Sequence, residues 1–144
     1  MPRGAVFKHV TDSPLVFIAP KSSQLLNANK LDTLPPNSPQ QWNSIPMILS
    51  EGGVARNRVD DWFKQHEITP QIYAQVTGNE AIVSMVSLGL GIGVVPQIVI
   101  DHSPMAERIK ILAIKPELEP YNIGVLTLKK HLKNPMIKAF WDLL

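Results

Sequence analysis

The chain has 144 residues, 44% hydrophobic and 18% charged, with a formal net charge of +2. This is globular composition and excludes an intrinsically disordered chain, and a surplus of +2 is too weak to argue for nucleic-acid binding by charge alone. The chain has no cysteine, which excludes disulfides, thiol catalysis and cysteine-built metal sites and fits a reducing compartment.

The opening MPRGAVFKHV has no apolar core of the kind a secretory leader needs. Ser13–Pro20, SPLVFIAP, is a short apolar run between prolines; its Val, Phe and Ile predict a buried strand. The polar stretch that follows contains Pro35, Pro36, Pro39 and Pro46, which rule out a long helix. It reads as a crossing between two structural units.

Beyond Pro46 the pattern becomes regular. MILS predicts a strand and VARNRVDDWFKQHE a helix, with Ala55, Val59, Trp62, Phe63 and His66 on one face. Arg56, Asp60 and Lys64 make i,i+4 pairs on the other face. PQIYAQV predicts a second strand, NEAIVSMVSL a helix N-capped by Asn79, and IGVV a third strand. The expected bounds are strands near Met47–Leu49, Ile72–Val76 and Ile92–Val95, with helices near Val54–Glu67 and Asn79–Leu88. A βαβαβ order with short connections predicts an α/β fold with a parallel sheet flanked by helices. Ser103–Pro104 then starts a short helix, Lys110–Ile114 and Tyr121–Leu128 are strands, and PELEP between them is a second crossing. Asn134–Pro135 starts a last helix with Met136, Phe140 and Leu143 on one face.

Gly89, Gly91 and Gly93 resemble a phosphate-cradling run, but such a loop follows a strand and opens a helix. Here the glycines follow a helix and precede a strand, so Gly89 ends the helix and the others allow close packing. Residues 82–100 carry no charge, yet three glycines and Pro96 break any membrane-spanning helix. A buried helix followed by a buried parallel strand gives the same hydropathy.

The remaining chemistry-bearing residues do not assemble a catalytic or metal site. His9, His66, His102 and His131 are scattered, and HEITP lacks the second histidine of a zinc-protease motif. There is no G-x-S-x-G elbow, and Asp60 and Asp61 are adjacent and diverge on a helix. Lys129–Lys133 reads as a solvated loop, and the three tryptophans as structural and far apart.

The informative positions are two strand-to-helix turns. Ser50, Glu51, Gly52, Gly53, Val54 and Arg56 follow one strand; Thr77, Gly78, Asn79 and Glu80 follow the next. Open α/β sheets bind ligands at such positions, where free first-turn N–H groups suit an anion. Ser50, Thr77 and Asn79 add hydrogen-bonding groups. Arg56 is placed either to pair with an acid or to face solvent beside Asp60. Glu51 and Glu80 oppose an anion unless they point away or bind a hydroxyl. The alternative is that both segments are ordinary turns.

PLVFIAP, the proline-rich stretch, GNEAIVSMVSLGLGIGVVP and the final FWDLL together resemble the effector-binding domain of LysR-type transcriptional regulators. The resemblance covers essentially the whole chain. IPMILSEGGVARNRVDDWFKQHEI and IYAQVTGNEAIVSMV resemble more narrowly the branch that activates the ketol-acid reductoisomerase gene. The resemblance implies a periplasmic-binding-protein-like (type II) fold with the effector between two α/β lobes. It places residues 42–115 as a complete second lobe, with 1–41 and 116–144 as parts of the first lobe and the crossings. The family's helix-turn-helix, linker helix and opening of the first lobe do not match anything here, so a C-terminal fragment is expected, contacting DNA only through that missing domain.

The implied activity is cytoplasmic, non-catalytic sensing of a small carboxylate, acetolactate or acetohydroxybutyrate, controlling branched-chain amino-acid biosynthesis. No cofactor or metal and no membrane are implied, and unpaired strand edges predict a homo-oligomer. A solute-receptor fragment, a non-catalytic α/β interaction domain and a small α/β enzyme are the competing classes; the lack of a nucleophile–base pair disfavours the enzyme.

Overall fold

The computed structural model describes residues 3–22, 24–28, 34–114, 118 and 121–144. They divide into two compact units, one of residues 14–121 and one of residues 1–13 with 122–144.

In the larger unit the regular pattern becomes β3 (Pro46–Ser50), α3 (Val54–Gln65), β4 (Gln71–Val76), α4 (Asn79–Ser87) and β5 (Ile92–Pro96). β3 pairs in parallel with both β4 and β5, as the βαβαβ order requires. Two further strands, β2 (Leu15–Pro20) and β6 (Ile109–Ile111), complete a five-stranded sheet of order β4-β3-β5-β2-β6. β2 runs antiparallel to both its neighbours, pairing Leu15 with Pro96 and Ile18 with Ile111.

That position of β2 corrects the expected lobe assignment. Leu15–Pro20 is an inner strand of the five-stranded sheet, not part of the smaller unit. The physical reason lies in its composition. An unbroken apolar run suits a strand covered on both faces, and Phe17, Ile18 and Ala19 are fully buried. The proline-rich stretch therefore joins two strands of one sheet and is no crossing between units. It carries two short helices, α1 (Gln24–Ala28) and α2 (Pro39–Ser44), the second capped by Ser38 Oγ, which accepts from Gln41 N–H. The chain passes between units at residues 13–14 and again at 121–122. Residues 116–120, read as the second crossing, lie outside the described residues except for Leu118.

Sheet residues alternate between two cores, as period-2 geometry dictates. On one face Phe17, Met47, Leu49, Ile92 and Val94 pack with Val59, Trp62 and Phe63 of α3 and with Trp42. On the other, Ile18, Ile48 and Val95 pack with Ile82, Val83 and Val86 of α4. Phe17, Trp42, Trp62 and Phe63 form one ring cluster with centroids 5.0–6.1 Å apart. Trp42 and Trp62, distant in sequence, are thus 5.6 Å neighbours. His66 stacks on Trp62 at 4.1 Å, and its Nδ1 lies 2.7 Å from the Trp62 carbonyl.

The glycine run behaves as its position after a helix implies. Gly89, at φ 83°, ends α4, with Gly89 N–H donating to Val86 O and Leu90 N–H to Met85 O. At Gly93 a Cβ would fall 2.6 Å from Ile82 Cγ2, so α4 and the sheet sit too close for any side chain there. Pro96 is followed by α5 (Gln97–Asp101), a helix the sequence reading did not anticipate. Ser103 Oγ accepts from Met105 N–H like a cap, but the turn it begins is a 3-10 turn, Ala106–Arg108, instead of an α-helix. The strand expected over Lys110–Ile114 is the shorter β6.

In the smaller unit β1 (Ala5–Ser13), also unanticipated, pairs with β7 (Tyr121–Leu128). Lys129 N–H donates to Gly4 O at one end and Gly124 crosses the Lys8 carbonyl at the other, so the two strands run in opposite directions. α6 (Pro135–Asp142) starts at Asn134, whose side chain accepts from Met136 and Ile137 N–H. Lys8 Nζ donates to the Trp141 carbonyl at 2.9 Å and lies 5.6 Å from that ring's centroid. Met136, Phe140 and Leu143 form the anticipated apolar face and are exposed.

Phe63 is 2% exposed and touches three other rings. Replacing it with alanine leaves a cavity, so Phe63→Ala is expected to cost about 3–5 kcal/mol in urea unfolding. A loss below about 1 kcal/mol would mean that this face of α3 is not the packed one.

Candidate functional site

Because β3, β4 and β5 are parallel, their C-terminal ends share one edge of the sheet. β3 ends at Ser50 and β4 at Val76, and these two residues are register partners. α3 and α4 therefore begin side by side at that edge, although they cover opposite faces further along. The two turns singled out in the sequence are brought together. Glu51 N–H donates to Val76 O at 3.1 Å, and Thr77 Oγ1 donates to Glu51 Oε2 at 3.2 Å.

Neither helix start carries a side-chain cap. α3 follows Gly53 at φ 95° and α4 follows Gly78 at φ 94°, both backbone conformations that L side chains rarely adopt. This corrects the cap assignment at α4: Gly78 is the cap residue and Asn79 the first helical one. The turn needs a positive φ before the helix, and glycine supplies it where asparagine would be strained. First-turn N–H groups without a cap retain their capacity to bind an anion, and the positive end of the helix dipole favours one. Glu80, exposed in the first turn of α4, adds an opposing charge.

The side chains at this edge are already engaged with one another. Ser50 Oγ donates to Gly52 O within its own loop at 3.2 Å. Arg56 Nε donates to Asp60 Oδ1 at 2.9 Å, the pair anticipated from their i,i+4 spacing. Its Nη1 donates to Ser50 O and to Gln75 Oε1, both at 2.7 Å. Arg56 is thus neither a solvent-facing side chain nor an unattached cation. Val54 and Asn79 stand at the first positions of their helices.

A second feature of the same edge was not read from the sequence. Gln97 N–H donates to Pro14 O at 2.8 Å, where β2 enters beside the end of β5. Next to it is a cavity of about 430 Å³ lined mainly by apolar residues, among them Pro14, Leu15, Phe17, Gln97, Leu112 and Leu118. It lies beside the end of the β2–β6 pairing, which covers Ile18–Pro20 and is followed by Leu112 N–H donating to Phe17 O at 2.9 Å. Since its walls come from segments as much as about a hundred positions apart, no local motif marks it. Among the described residues no group of three or more His, Asp or Glu side chains gathers to hold a metal, and no helix is long and apolar enough to cross a membrane.

The family model described as the LysR substrate binding domain matches residues 1–144. The transcriptional activator IlvY of Haemophilus influenzae is 37% identical over 149 residues, covering 100% of this chain and 48% of that protein. IlvY of Escherichia coli is 35% identical over 147 residues, again covering 100% of this chain and 48% of the relative. IlvY of Salmonella typhimurium is 43% identical over 106 residues, 72% of this chain and 36% of the relative. The chain spans about half the length, or less, of these relatives. Among solved structures, the effector-binding domain of QuiR in complex with shikimate has a TM-score of 0.71 at 28% identity, covering 96% of this chain and 63% of that one. The regulatory domain of Synechocystis CcmR has a TM-score of 0.77 at 22% identity, covering 99% of this chain and 67% of that one. The fold is thus that of type II periplasmic-binding-protein-like effector domains, as expected.

Gly52 and Gly53 offer a direct check of the turn. A Cβ at either position would meet nothing within 4 Å, but only Gly53 has a positive φ. Gly53→Ala is expected to cost about 1–3 kcal/mol through backbone strain alone. Gly52→Ala is expected to stay within about 0.5 kcal/mol of the parent. Equal losses in urea unfolding would mean that the loop does not adopt this conformation.

Proposed function

This chain belongs to the LysR substrate-binding domain family, and from that premise we propose that it senses a small hydroxylated carboxylic acid at the shared edge of β3 and β4. The observation that carries the reading is the pair of uncapped helix starts, Gly53–Val54 and Gly78–Asn79, held side by side. A carboxylate there gains roughly 0.3–1 kcal/mol from each dipole, and more when partly buried. In this reading the backbone N–H groups of Gly52, Gly53, Val54, Gly78 and Asn79 face the acid, Ser50, Thr77 and Asn79 add side-chain hydrogen bonds, and Glu51 and Glu80 meet the ligand's hydroxyl.

The preferred effector is acetolactate or acetohydroxybutyrate. Three observations support it. The relatives that match share the name IlvY. The sequence resembles the activators of the ketol-acid reductoisomerase gene. QuiR, 28% identical, was solved with shikimate, another small hydroxylated carboxylic acid. The chain would then act within the cytoplasm as the sensing part of a regulator of branched-chain amino-acid biosynthesis, with no catalytic step of its own.

We further propose self-association. β4 is an edge strand of the five-stranded sheet with Ile72 and Tyr73 exposed, and α6 exposes Met136, Phe140 and Leu143. Uncovered edges and apolar faces recruit other chains.

Two measurements test these proposals. Titration of the isotope-labelled chain with acetolactate is expected to shift the amide signals of Gly52, Gly53 and Gly78. Changing Thr77 and Asn79 together to alanine is expected to weaken binding at least about tenfold, the scale of the lost hydrogen bonds; unchanged affinity would put the site elsewhere. Light scattering at micromolar concentration is expected to show a dimer or larger species, and a clean 16.0 kDa monomer would reject self-association.

A further inference from the structure

We infer that Arg56 is a positioning residue of the effector site, bracing the β3–α3 loop against β4 through Ser50 and Gln75 instead of pairing with the ligand's charge. The inference rests on the reading of that loop as part of the site.

Three of the five N–H groups of the Arg56 guanidinium are committed. One Nη1 bond catches the carbonyl of Ser50, the last residue of β3, and the other crosses to Gln75 on β4, both at 2.7 Å. Nε is held by Asp60. The arginine side chain is 13% exposed and its bond to Ser50 O is partly buried, while Asp60 and Gln75 reach it from the exposed side. The adjacent Asp60 carboxylate also offsets the arginine's positive charge, which weakens any pull on an external anion.

The loop needs such a brace. Residues 51–53 include two glycines, and no neighbouring atom lies within 4 Å of where either Cβ would stand. Side-chain packing therefore does not restrain Gly52 or Gly53. The other side-chain restraints, Ser50 Oγ to Gly52 O and Thr77 Oγ1 to Glu51 Oε2, are longer, 3.2 Å each. Glycine loses more conformational freedom on ordering than any other residue, so an unbraced loop would pay that loss when ligand binds. Holding the loop beforehand removes part of the loss and tightens binding without adding a ligand contact. Lysine does not reproduce this arrangement, because it has no second nitrogen to hold Asp60 while the first serves Ser50 O and Gln75, and no rigid plane to fix their relative positions.

The test compares the 144-residue chain with its Arg56→Lys variant by amide hydrogen exchange and by titration with acetolactate at low and high salt. Arg56→Lys is expected to speed exchange at Glu51 and Asn57, whose N–H groups donate to Val76 O and Gly53 O at either end of the loop, at least about tenfold, the scale of one charge-assisted hydrogen bond. It is also expected to raise the Kd by a similar factor at both salt concentrations. Unchanged exchange at both amides overturns the inference. So does an affinity loss that vanishes in high salt, because a direct charge contact is screened and a loop brace is not. If the parent chain does not bind acetolactate, the proposed effector fails, and the exchange measurement still decides the role of Arg56. Should Arg56→Lys not fold, Gln75→Leu removes one of the two 2.7 Å bonds and is expected to change exchange and affinity in the same direction, by less; no change in either overturns the inference.

Discussion

The parallel ladder between β3 and β4 is the constraint on which the rest depends. Pairing Ser50 with Val76 ends two neighbouring strands at one level. Each strand must then hand the chain to a helix at the same edge, and right-handed crossovers carry the helices onto the sheet. α3 goes to the face with the ring cluster and α4 to the face with Ile82, Val83 and Val86. Two helix starts are left adjacent and uncapped, with their free N–H groups at one spot. The same alignment that allows the hydrophobic cores to form on both faces thus concentrates unsatisfied donors at the sheet's edge.

How much of this was legible in the sequence follows from the range of each interaction. The α3 face of Val59, Trp62 and Phe63 is written at helical spacing, and the end of α4 at Gly89 is a local signal. The two strand-to-helix turns were legible for the same reason, since a strand, a glycine-bearing turn and a helix follow one another directly. Local signals misled where the turn's own geometry decided. Asn79 has the chemistry of a cap, but the backbone required a positive φ one residue earlier, and only Gly78 meets that demand at little cost. β2 was recognised as a strand but not as an antiparallel neighbour of β5 and β6, because register across some ninety residues leaves no trace in a short window. β1, in which Lys8, His9 and Asp12 interrupt the apolar residues, gave no strand signal, and its partner β7 lies more than a hundred positions away. The cavity beside Leu15 was invisible for the same cause.

The polar network at the edge shows why residue type alone did not give roles. Arg56, read from sequence, had two open uses, an acid partner or a solvent-facing pair with Asp60. The structure uses it in a third way, because Arg56 stands in the first turn of α3, within reach of both Ser50 O and Gln75. Glu51, whose charge opposes an anion, is held by the Thr77 hydroxyl. A hydroxyl-bearing ligand can take over such a bond from an exposed side chain with little loss, whereas a purely hydrocarbon acid offers the carboxylate nothing in return.

The placement of the tryptophans has an optical consequence. Trp42 and Trp62 lie 5.6 Å apart at an interplanar angle of 63° within the unit of residues 14–121. Trp141 belongs to the other unit, beneath the Lys8 ammonium. Two indoles so close and so inclined couple their electronic transitions and give a paired circular-dichroism band in the ultraviolet, whereas an isolated indole gives none. The larger unit thus carries a coupled pair of indoles and the smaller one a single uncoupled indole, so the paired band follows the melting of the larger unit alone in an unlabelled sample.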